Sequence, residues 1–239
     1  MPASDSPLGA RIPVLPADDA GIGSAVQALR AGRLILHPTE TVVSLAGDPY
    51  RDDAAEAAWR LKGYDAPRPF LCLVPDPAAA RALAAEWPEA AERLAEAFWP
   101  GPLTLVVGAA EGAPAAVAVD GTLALRPGCE PVSCALLAAW GGPLLSTSAN
   151  RRGEPAPTRV EDAAAALGSS SGAEAIALAL APTPEGLLSR RGGKNGGTYG
   201  SGVVPGQPST IIDVTRTPRL VRVGAIPLDQ LRRILPGLD

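Results

Sequence analysis

The chain has 239 residues, a mass of 24.2 kDa and a formal net charge of −4, so it is long enough to bury a core without disulfide bonds. Its pI near 5.2 excludes a basic protein that coats nucleic acid, although a local RNA contact stays open. His37 is the single histidine, which excludes a metal site with two or more histidine ligands.

The cysteine content and the hydropathy pattern predict a cytoplasmic protein. The three cysteines are too few and too scattered for a disulfide framework, and they fit a reducing compartment. The chain has no run of eighteen apolar residues, and its first residues lack a basic segment followed by an apolar block. We therefore expect no membrane association and no secretory leader.

Strand-like and helix-like segments alternate along the chain, which predicts an α/β fold with a mixed sheet. Residues 1–18 are rich in proline and polar residues, and we expect a flexible N-terminal tail there. Segment 39–47 continues the first strand, and segment 175–180 is apolar but ambiguous. The predicted strands cover 33–37, 70–74, 103–107, 123–125, 143–147, 209–214 and 220–223, and the predicted helices cover 21–31, 54–61, 77–85, 88–99, 131–140, 160–167 and 228–235.

No linker divides the chain, so we predict one domain over residues 19–226, followed by a C-terminal helix in 227–239. Glycine, serine and arginine dominate residues 184–208, which predicts a long mobile loop. Within that loop, the glycine-rich run 191–197 lacks the spacing of a phosphate-binding loop. A flexible loop is favoured there, and a mobile lid over a nucleotide is the alternative.

Four loops that follow strand-like or helical segments carry many hydroxyl, amide or cationic groups: 38–41, 61–64, 146–150 and 208–210. Small-molecule sites in α/β proteins usually lie at strand ends, so these loops are the predicted site. The run 146–150 can donate several hydrogen bonds to an anion, or its side chains can satisfy their own turn. We expect the following Arg151 and Arg152 to face solvent.

Lys62, His37 and Glu40 each allow more than one interpretation. Lys62 ends a predicted helix, where the helix dipole favours a cation, but it can also serve as a point charge for phosphate. His37 precedes a proline at a strand end, which favours a neutral, packed side chain. Glu40 is a candidate base, and an exposed or helix-capping carboxylate is as well supported.

These segments together resemble the YrdC-like family, whose members include threonylcarbamoyl-adenylate synthases. The resemblance covers about residues 22–226. It is carried by GRLILHPTETVVSLAG at 32–47, the segment 61–74, FWPGPLTLVV at 98–107, PLLSTSANRRGEPAPT at 143–158, and PSTIID at 208–213 followed by VRVG at 221–224.

The resemblance implies a single α/β domain, in which a twisted mixed sheet and its helices surround a concave cavity. It also implies synthesis of L-threonylcarbamoyl-AMP from L-threonine, bicarbonate and ATP, with release of pyrophosphate. Mg²⁺ would arrive with ATP, and the product would serve threonylcarbamoyladenosine modification of tRNA. The implied macromolecular partners are tRNA or a downstream threonylcarbamoyl transferase. Such chemistry depends on positioning and electrostatic stabilisation and needs no nucleophilic side chain.

The residues that match functional positions of the family fall into two groups, and no metal ligand is among them. The positions implied for threonine are Thr41, Arg126, Ser148 and Ser209. The positions implied for the nucleotide are Lys62, Arg68, Thr122, Asn150, Thr158 and Arg222, of which Lys62 and Arg68 are the predicted catalytic cations.

The chain departs from the family pattern at three places. Tyr64 stands where the family's KxR motif has an arginine, Val43 and Ser44 replace a Tyr-Gly pair, and Leu73 replaces a common histidine. Because Arg68 lies between two prolines that restrict its backbone, we expect it to supply the missing charge. Two alternatives stay open: an altered paralogue that binds RNA or an adenylate, and a carbamoyl-transfer enzyme with another acceptor.

Overall fold

Eleven strands form one mixed, twisted sheet in the computed structural model, which describes residues 11–66, 68–183 and 203–238. The strands are β1 (Val14–Pro16), β2 (Leu34–Pro38), β3 (Val43–Gly47), β4 (Leu71–Val74), β5 (Leu103–Gly108), β6 (Ala118–Val119), β7 (Thr122–Pro127), β8 (Leu144–Ser148), β9 (Ile176–Ala181), β10 (Thr210–Asp213) and β11 (Arg219–Arg222). Their order is β1-β9-β2-β3-β8-β4-β7-β5-β10-β11, and β6 pairs with β7.

Seven α-helices flank the sheet within the described ranges. They are α1 (Asp19–Arg30), α2 (Asp52–Lys62), α3 (Pro77–Leu83), α4 (Glu89–Phe98), α5 (Pro131–Trp140), α6 (Val160–Gly168) and α7 (Leu228–Ile234). Asp18 caps α1 and Asp76 caps α3 through side-chain oxygens. At the C-terminal end of α2, Gly63 adopts φ = +67°, a left-handed conformation that ends the helix directly after Lys62.

One face of the sheet is largely apolar. Cross-strand partners share a face, and residues alternate between faces along a strand. Leu45, Leu145, Cys72, Leu125, Leu105 and Ile212 follow this rule from β3 to β10 and are all buried in the larger core. Helices α2, α4, α6 and α7 contribute buried residues to the same core.

The opposite face is apolar in one part and polar in another. Ile35, Ala46, Leu73 and Leu144 lie under α1 and α5 in a second, smaller core. The same register places the polar residues His37, Ser44, Ser146, Ser148, Arg126, Thr122 and Thr104 on this face. The alternation of residues between faces therefore concentrates hydroxyl and cationic groups on one side of the sheet.

The predicted α/β class with a mixed sheet is confirmed, and the differences concern a few segments. Segment 39–47 does not simply continue the first strand, because the chain turns at 39–42 and returns as antiparallel β3. The ambiguous segment 175–180 forms β9, whose parallel pairing with β2 buries it. The C-terminal helix is present as α7, and it packs through Leu231 onto the larger core.

The predicted tail over 1–18 is wrong for its last part. Val14–Pro16 forms β1 and pairs in parallel with β9, because the backbone of this edge segment gains a hydrogen-bonded partner there. Residues 1–10 lie outside the described residues, as do 184–202 of the predicted loop and its run 191–197. The remaining residues of that loop are tied to the domain, since Val204 N donates to the Thr158 carbonyl at 2.9 Å.

Candidate functional site

The turn between β2 and β3 is organised by the Thr39 hydroxyl. This oxygen donates to the Val42 carbonyl at 2.7 Å and accepts from the backbone N–H groups of Thr41 and Val42 at 3.2 Å. It also lies 3.0 Å from the hydroxyl of Thr41. A hydroxyl that satisfies its own turn fixes the direction of neighbouring side chains. The predicted threonine-binding residue Thr41 is therefore held in place by Thr39.

Arg126 and Glu40 form a buried ion pair beside this turn. Arg126 Nη1 donates to the Thr41 hydroxyl at 3.1 Å, and Arg126 Nε lies 2.7 Å from Glu40 Oε1. The side chains are only 4% and 1% exposed. The N–H of Arg126 Nε is not aimed at the oxygen, so neither Glu40 oxygen accepts a hydrogen bond from the described residues. Glu40 is thus neither exposed nor a helix cap, as one interpretation expected, because Arg126 draws it into the interior.

Two further polar residues, His37 and Glu130, are buried behind the pair. Burial lowers the pKa of His37 to about 4. The hydrogen bond to the Pro38 carbonyl raises this pKa, whereas the positive charge of Arg126 lowers it further. The neutral, packed histidine predicted from the sequence is confirmed. Burial likewise raises the pKa of Glu130, the cap of α5, to about 8; hydrogen bonds from the backbone N–H groups of Ser133 and Val132 lower it, and the charge of Glu40 raises it.

Lys62 reaches from the end of α2 to the loop that follows β8. Its Nζ lies 2.7 and 3.2 Å from the carbonyl and hydroxyl oxygens of Ser148, and 2.6 and 3.0 Å from the carbonyl and side-chain oxygens of Asn150. Burial lowers the pKa of Lys62 to about 8, and the charge of Glu154 opposes this, so the side chain carries its charge at pH 7. The cation is therefore more than a helix-end charge, since it binds the predicted site loop.

Internal hydrogen bonds also order the loop after β8. Asn150 Nδ2 donates to the Glu154 carbonyl at 2.5 Å and to the Arg151 carbonyl at 3.1 Å. Below it, the hydroxyls of Ser44 and Ser146 lie 2.7 Å apart and are buried. Ser44 thus fills one position where the chain departs from the family pattern. Arg151 is exposed, as its sequence context predicts.

A third group lies at the far end of the polar face, around Ser209. The Ser209 hydroxyl lies 2.8 Å from that of Thr104, while Arg222 on the edge strand donates to the Ser209 carbonyl at 2.8 and 3.1 Å and to its hydroxyl at 3.2 Å. Partial burial lowers the pKa of Arg222, and the positive charge of Arg126 lowers it further. The two arginines are therefore close enough for their like charges to interact.

Tyr64 and Arg68 lie against each other beside the end of α2. The guanidinium carbon of Arg68 is 5.4 Å from the centre of the Tyr64 ring. The Arg68 carbonyl accepts a hydrogen bond from Trp59 Nε1 at 2.8 Å, while its side chain is exposed. A guanidinium stacked on a ring has fewer accessible orientations than a free side chain.

The structure joins the predicted residues into three groups rather than one contiguous set of contacts. Thr41 contacts Arg126, Lys62 contacts Ser148 and Asn150, and Arg222 contacts Ser209. Thr122 instead donates through its hydroxyl to the Val119 carbonyl at 3.1 Å, and the Thr158 carbonyl accepts a hydrogen bond from Val204 N at 2.9 Å. Whether any of these residues binds substrate stays a prediction.

Sequence reasoning placed Thr39 in a predicted site loop and noted Ser44 as a departure, but it assigned neither a role. It missed the structural partners Thr104, Glu130 and Ser133. Alternation along β3 and β5 could have placed Ser44 and Thr104 on the polar face, because they interrupt otherwise apolar strands. Glu130 stands before the proline that begins α5, which is a capping position. The burial of Ser133 beneath the Pro38 carbonyl has no comparable local signal.

No cluster of three or more metal-ligating side chains occurs among the described residues, and none of the described helices is long and apolar enough to cross a bilayer. A shallow depression lined by Arg11, Val14, Glu161 and Ser169 lies between β1 and α6. It contains none of the predicted site residues.

The fold and the sequence motifs define a family. A family model for the Sua5, YciO and YrdC proteins, described as "Telomere recombination", matches residues 27–176. Because this match spans more than half of the chain, the chain belongs to the Sua5/YciO/YrdC family, which confirms the predicted resemblance.

Two relatives carry the name of a nucleotidyl-transferring enzyme. A Pyrococcus abyssi protein named threonylcarbamoyl-AMP synthase is 31% identical over 210 residues, which cover 87% of this chain and 55% of the relative. A Mycobacterium tuberculosis protein that carries the same name provisionally is 33% identical over 221 residues, covering 92% of this chain and 90% of the relative. The chain therefore spans about half of the first relative and nearly all of the second.

Solved structures agree with the fold. The crystal structure of P. abyssi Sua5 complexed with L-threonine superimposes with a TM-score of 0.77 at 28% identity, covering 95% of this chain and 60% of that one. Escherichia coli YciO superimposes with a TM-score of 0.73 at 22% identity, covering 93% and 99%. The second likeness concerns the fold alone.

Proposed function

We propose that this chain synthesises L-threonylcarbamoyl-AMP from L-threonine, bicarbonate and ATP, and releases pyrophosphate. The observation that carries the proposal is the set of three cations, Lys62, Arg126 and Arg222, each bonded to the hydroxyl of a residue that matches a functional position of the family. The names of the relatives and the threonine complex of P. abyssi Sua5 support the same activity.

The reaction brings several negative groups together. The ammonium group of threonine first loses a proton; the resulting amine then forms a C–N bond with the carbon of bicarbonate, and water leaves. An oxygen of the resulting carbamate then bonds to the α-phosphorus of ATP, and the bond to pyrophosphate breaks. Catalysis of this kind depends on orientation and on stabilisation of charge by fixed donors, which cations and hydroxyls supply.

The three groups of contacts suggest a division of tasks. Arg126 beside Thr41 would bind the carboxylate of threonine, since a planar guanidinium matches a carboxylate. Lys62 would face phosphate, because its hydrogen-bond partners are neutral oxygens and none of them forms an ion pair with it. Arg222 and Ser209 would bind at the other end of the polar face, where the family positions imply contact with both substrates.

Mg²⁺ is proposed as part of the ATP substrate rather than as a resident metal. Magnesium usually binds through one or two carboxylates together with substrate phosphates and water. Glu40 is the buried carboxylate nearest the predicted threonine residues, and Arg126 already pairs with it. The described residues therefore fit a metal carried by the phosphates better than a metal held by the protein.

Arg68 is proposed as the cation that replaces the family arginine. Its stacking on Tyr64 restricts a side chain that lies beside the end of α2, where Lys62 begins its reach to the β8 loop. The substituted tyrosine would thus act as a platform for the displaced charge. If Arg68 instead only covers the ring, the protein is better described as an altered paralogue that binds an adenylate or RNA.

Incubation of the purified protein with ATP, L-threonine and labelled bicarbonate tests the proposal. We expect mass spectrometry to detect the labelled adenylate, with one pyrophosphate released per adenylate, and neither product when threonine is omitted. Adenylate formed with another acceptor would favour the carbamoyl-transfer alternative.

Ligand-induced stabilisation separates the remaining cases. A ligand that binds only the folded state raises the melting temperature by mass action. A thermal shift with ATP but no adenylate would favour a binding paralogue. No shift at millimolar ATP, with or without threonine, would contradict both enzyme interpretations. The cytoplasmic location, the tRNA pathway and a downstream transferase partner follow from the same proposal.

A further inference from the structure

The Glu40–Arg126 ion pair is an element that the proposed reaction does not itself require. Both side chains are almost fully buried, and Glu40 is not one of the predicted threonine-binding residues. Burying two charges costs free energy, and their attraction offsets this cost only when their geometry is good. A buried ion pair beside a predicted substrate-binding residue is therefore weak evidence that Glu40 serves stability.

The two contacts of Arg126 lie on different nitrogens of its guanidinium. Glu40 faces Nε, and the hydroxyl of the next residue, Thr41, accepts from Nη1. Thr39 fixes the turn that carries both residues. Two neighbouring residues of one ordered turn thus contact two nitrogens of the guanidinium, which restricts its rotation within the buried space.

We propose that Glu40 is a positioning residue that orients Arg126 for the carboxylate of an amino-acid substrate. The inference rests on the proposed function for its substrate, while the orientation of Arg126 is testable without it. Glu40 acts through Arg126 and touches no reacting atom. The carboxylate of the substrate then meets a guanidinium that is already ordered, so binding loses less side-chain entropy.

A different role for Glu40 predicts the opposite change in threonine affinity when Glu40 is replaced. If Glu40 only neutralised Arg126, its removal would leave an uncompensated cation, and the affinity for a carboxylate would stay equal or increase. If Glu40 positions Arg126, the amide in Glu40→Gln fails to hold the guanidinium, and the affinity for threonine decreases.

Titration calorimetry with L-threonine and with ATP distinguishes the two roles. We expect Glu40→Gln to weaken threonine binding by about tenfold or more, since small misplacements of a binding group are costly, while ATP affinity stays within about twofold. Glu40→Asp keeps the charge but shortens the side chain, so we expect an intermediate loss. It also serves as the second variant if Glu40→Gln does not fold.

Glu130→Gln is the matched control. Glu130 is also a buried carboxyl near Glu40, but it accepts hydrogen bonds from the backbone N–H groups of Val132 and Ser133 and forms no ion pair with Arg126. We expect it to leave threonine affinity unchanged. Unchanged or tighter threonine binding in Glu40→Gln, or an equal loss for threonine and ATP, would overturn the positioning role.

NMR of the arginine Nε–H groups provides a readout that needs no substrate. The Arg126 signal, assigned by its loss in Arg126→Lys, is expected to be protected from exchange in the wild type and to shift and exchange faster in Glu40→Gln. If the wild type does not bind threonine, the proposed function fails, and this signal alone decides the orientation. An unchanged Arg126 signal in Glu40→Gln would overturn the inference.

Discussion

The two most deeply buried cations of the site, Lys62 and Arg126, are held in different ways. Lys62 is surrounded by four neutral oxygens of Ser148 and Asn150, so its positive charge stays available to an anion. Arg126 is paired with the carboxylate of Glu40, so the pair has no net charge. The difference indicates that the Lys62 region attracts anions through its positive charge, whereas recognition of a carboxylate at Arg126 depends on the orientation of the guanidinium.

The largest expected effect comes from breaking the Arg126 pair. Arg126→Met leaves Glu40 buried without a cation, which is expected to lower the free energy of unfolding by about 3–5 kcal/mol. Chemical denaturation measures this value, and the double variant Glu40→Gln/Arg126→Met should recover part of the loss because it removes both charges. Arg233→Met, which breaks an exposed pair with Asp229, is the control and should cost less than about 0.5 kcal/mol. A similar cost for both single variants would contradict the comparison.

The second effect tests whether the charge-attracting region includes Arg68. Arg68→Ala is expected to lower the rate of adenylate formation about 10²-fold, comparable to the loss of one preorganised donor. Tyr64→Arg should be tolerated and should partly rescue Arg68→Ala. The exposed Arg152 supplies the control, since Arg152→Ala should keep the wild-type rate. Full activity of Arg68→Ala would show that Arg68 does not replace the missing charge.

The third effect concerns the charge of Lys62 itself. Lys62→Ala is expected to weaken ATP binding about thirtyfold, the scale of a hydrogen bond to a charged group. Calorimetric titration with ATP measures it, and Arg60→Ala, an exposed cation in the same last turn of α2, should leave the affinity unchanged. Equal effects of the two variants would mean that Lys62 acts only as a helix-end charge.

The smallest effect concerns the pH dependence of stability beside Arg126. Because the pKa of Glu130 rises from 4.5 unfolded to about 8 folded, the folded state binds more protons between these values, and stability is lost as the pH rises through 8. His37, with a folded pKa of about 4 against 6.5 unfolded, acts in the opposite direction but only below pH 6.5. Between pH 6.5 and 8 Glu130 therefore dominates, and Lys62, whose pKa falls to about 8 in the folded state, begins to oppose it only near pH 8.

Within that window, the free energy of unfolding is expected to fall by roughly 1–2 kcal/mol in the wild type. Glu130→Gln should remove this slope, because the amide does not titrate but can still accept from Ser133 N. Urea denaturation at pH 6.5 and pH 8 measures both proteins. The same slope in wild type and variant would assign it to another group.

Local patterns were sufficient for much of the fold. The apolar runs predicted most strands to within two residues, because such signals act over a few neighbouring residues. The edge strand β1 was less predictable from the sequence. The pairing of Val14–Pro16 with β9 depends on a partner more than 160 residues away in sequence, so composition alone suggested a tail.

Local residue patterns are enough to give the sheet one largely apolar face and one partly polar face, and the loop motifs are enough to identify the family. How the cations are compensated depends on contacts that form only in the folded chain. Glu40 meets Arg126 and Lys62 meets Ser148 across more than 80 residues of chain. Burial and pairing of charges depend on such distant contacts, and no local propensity encodes them.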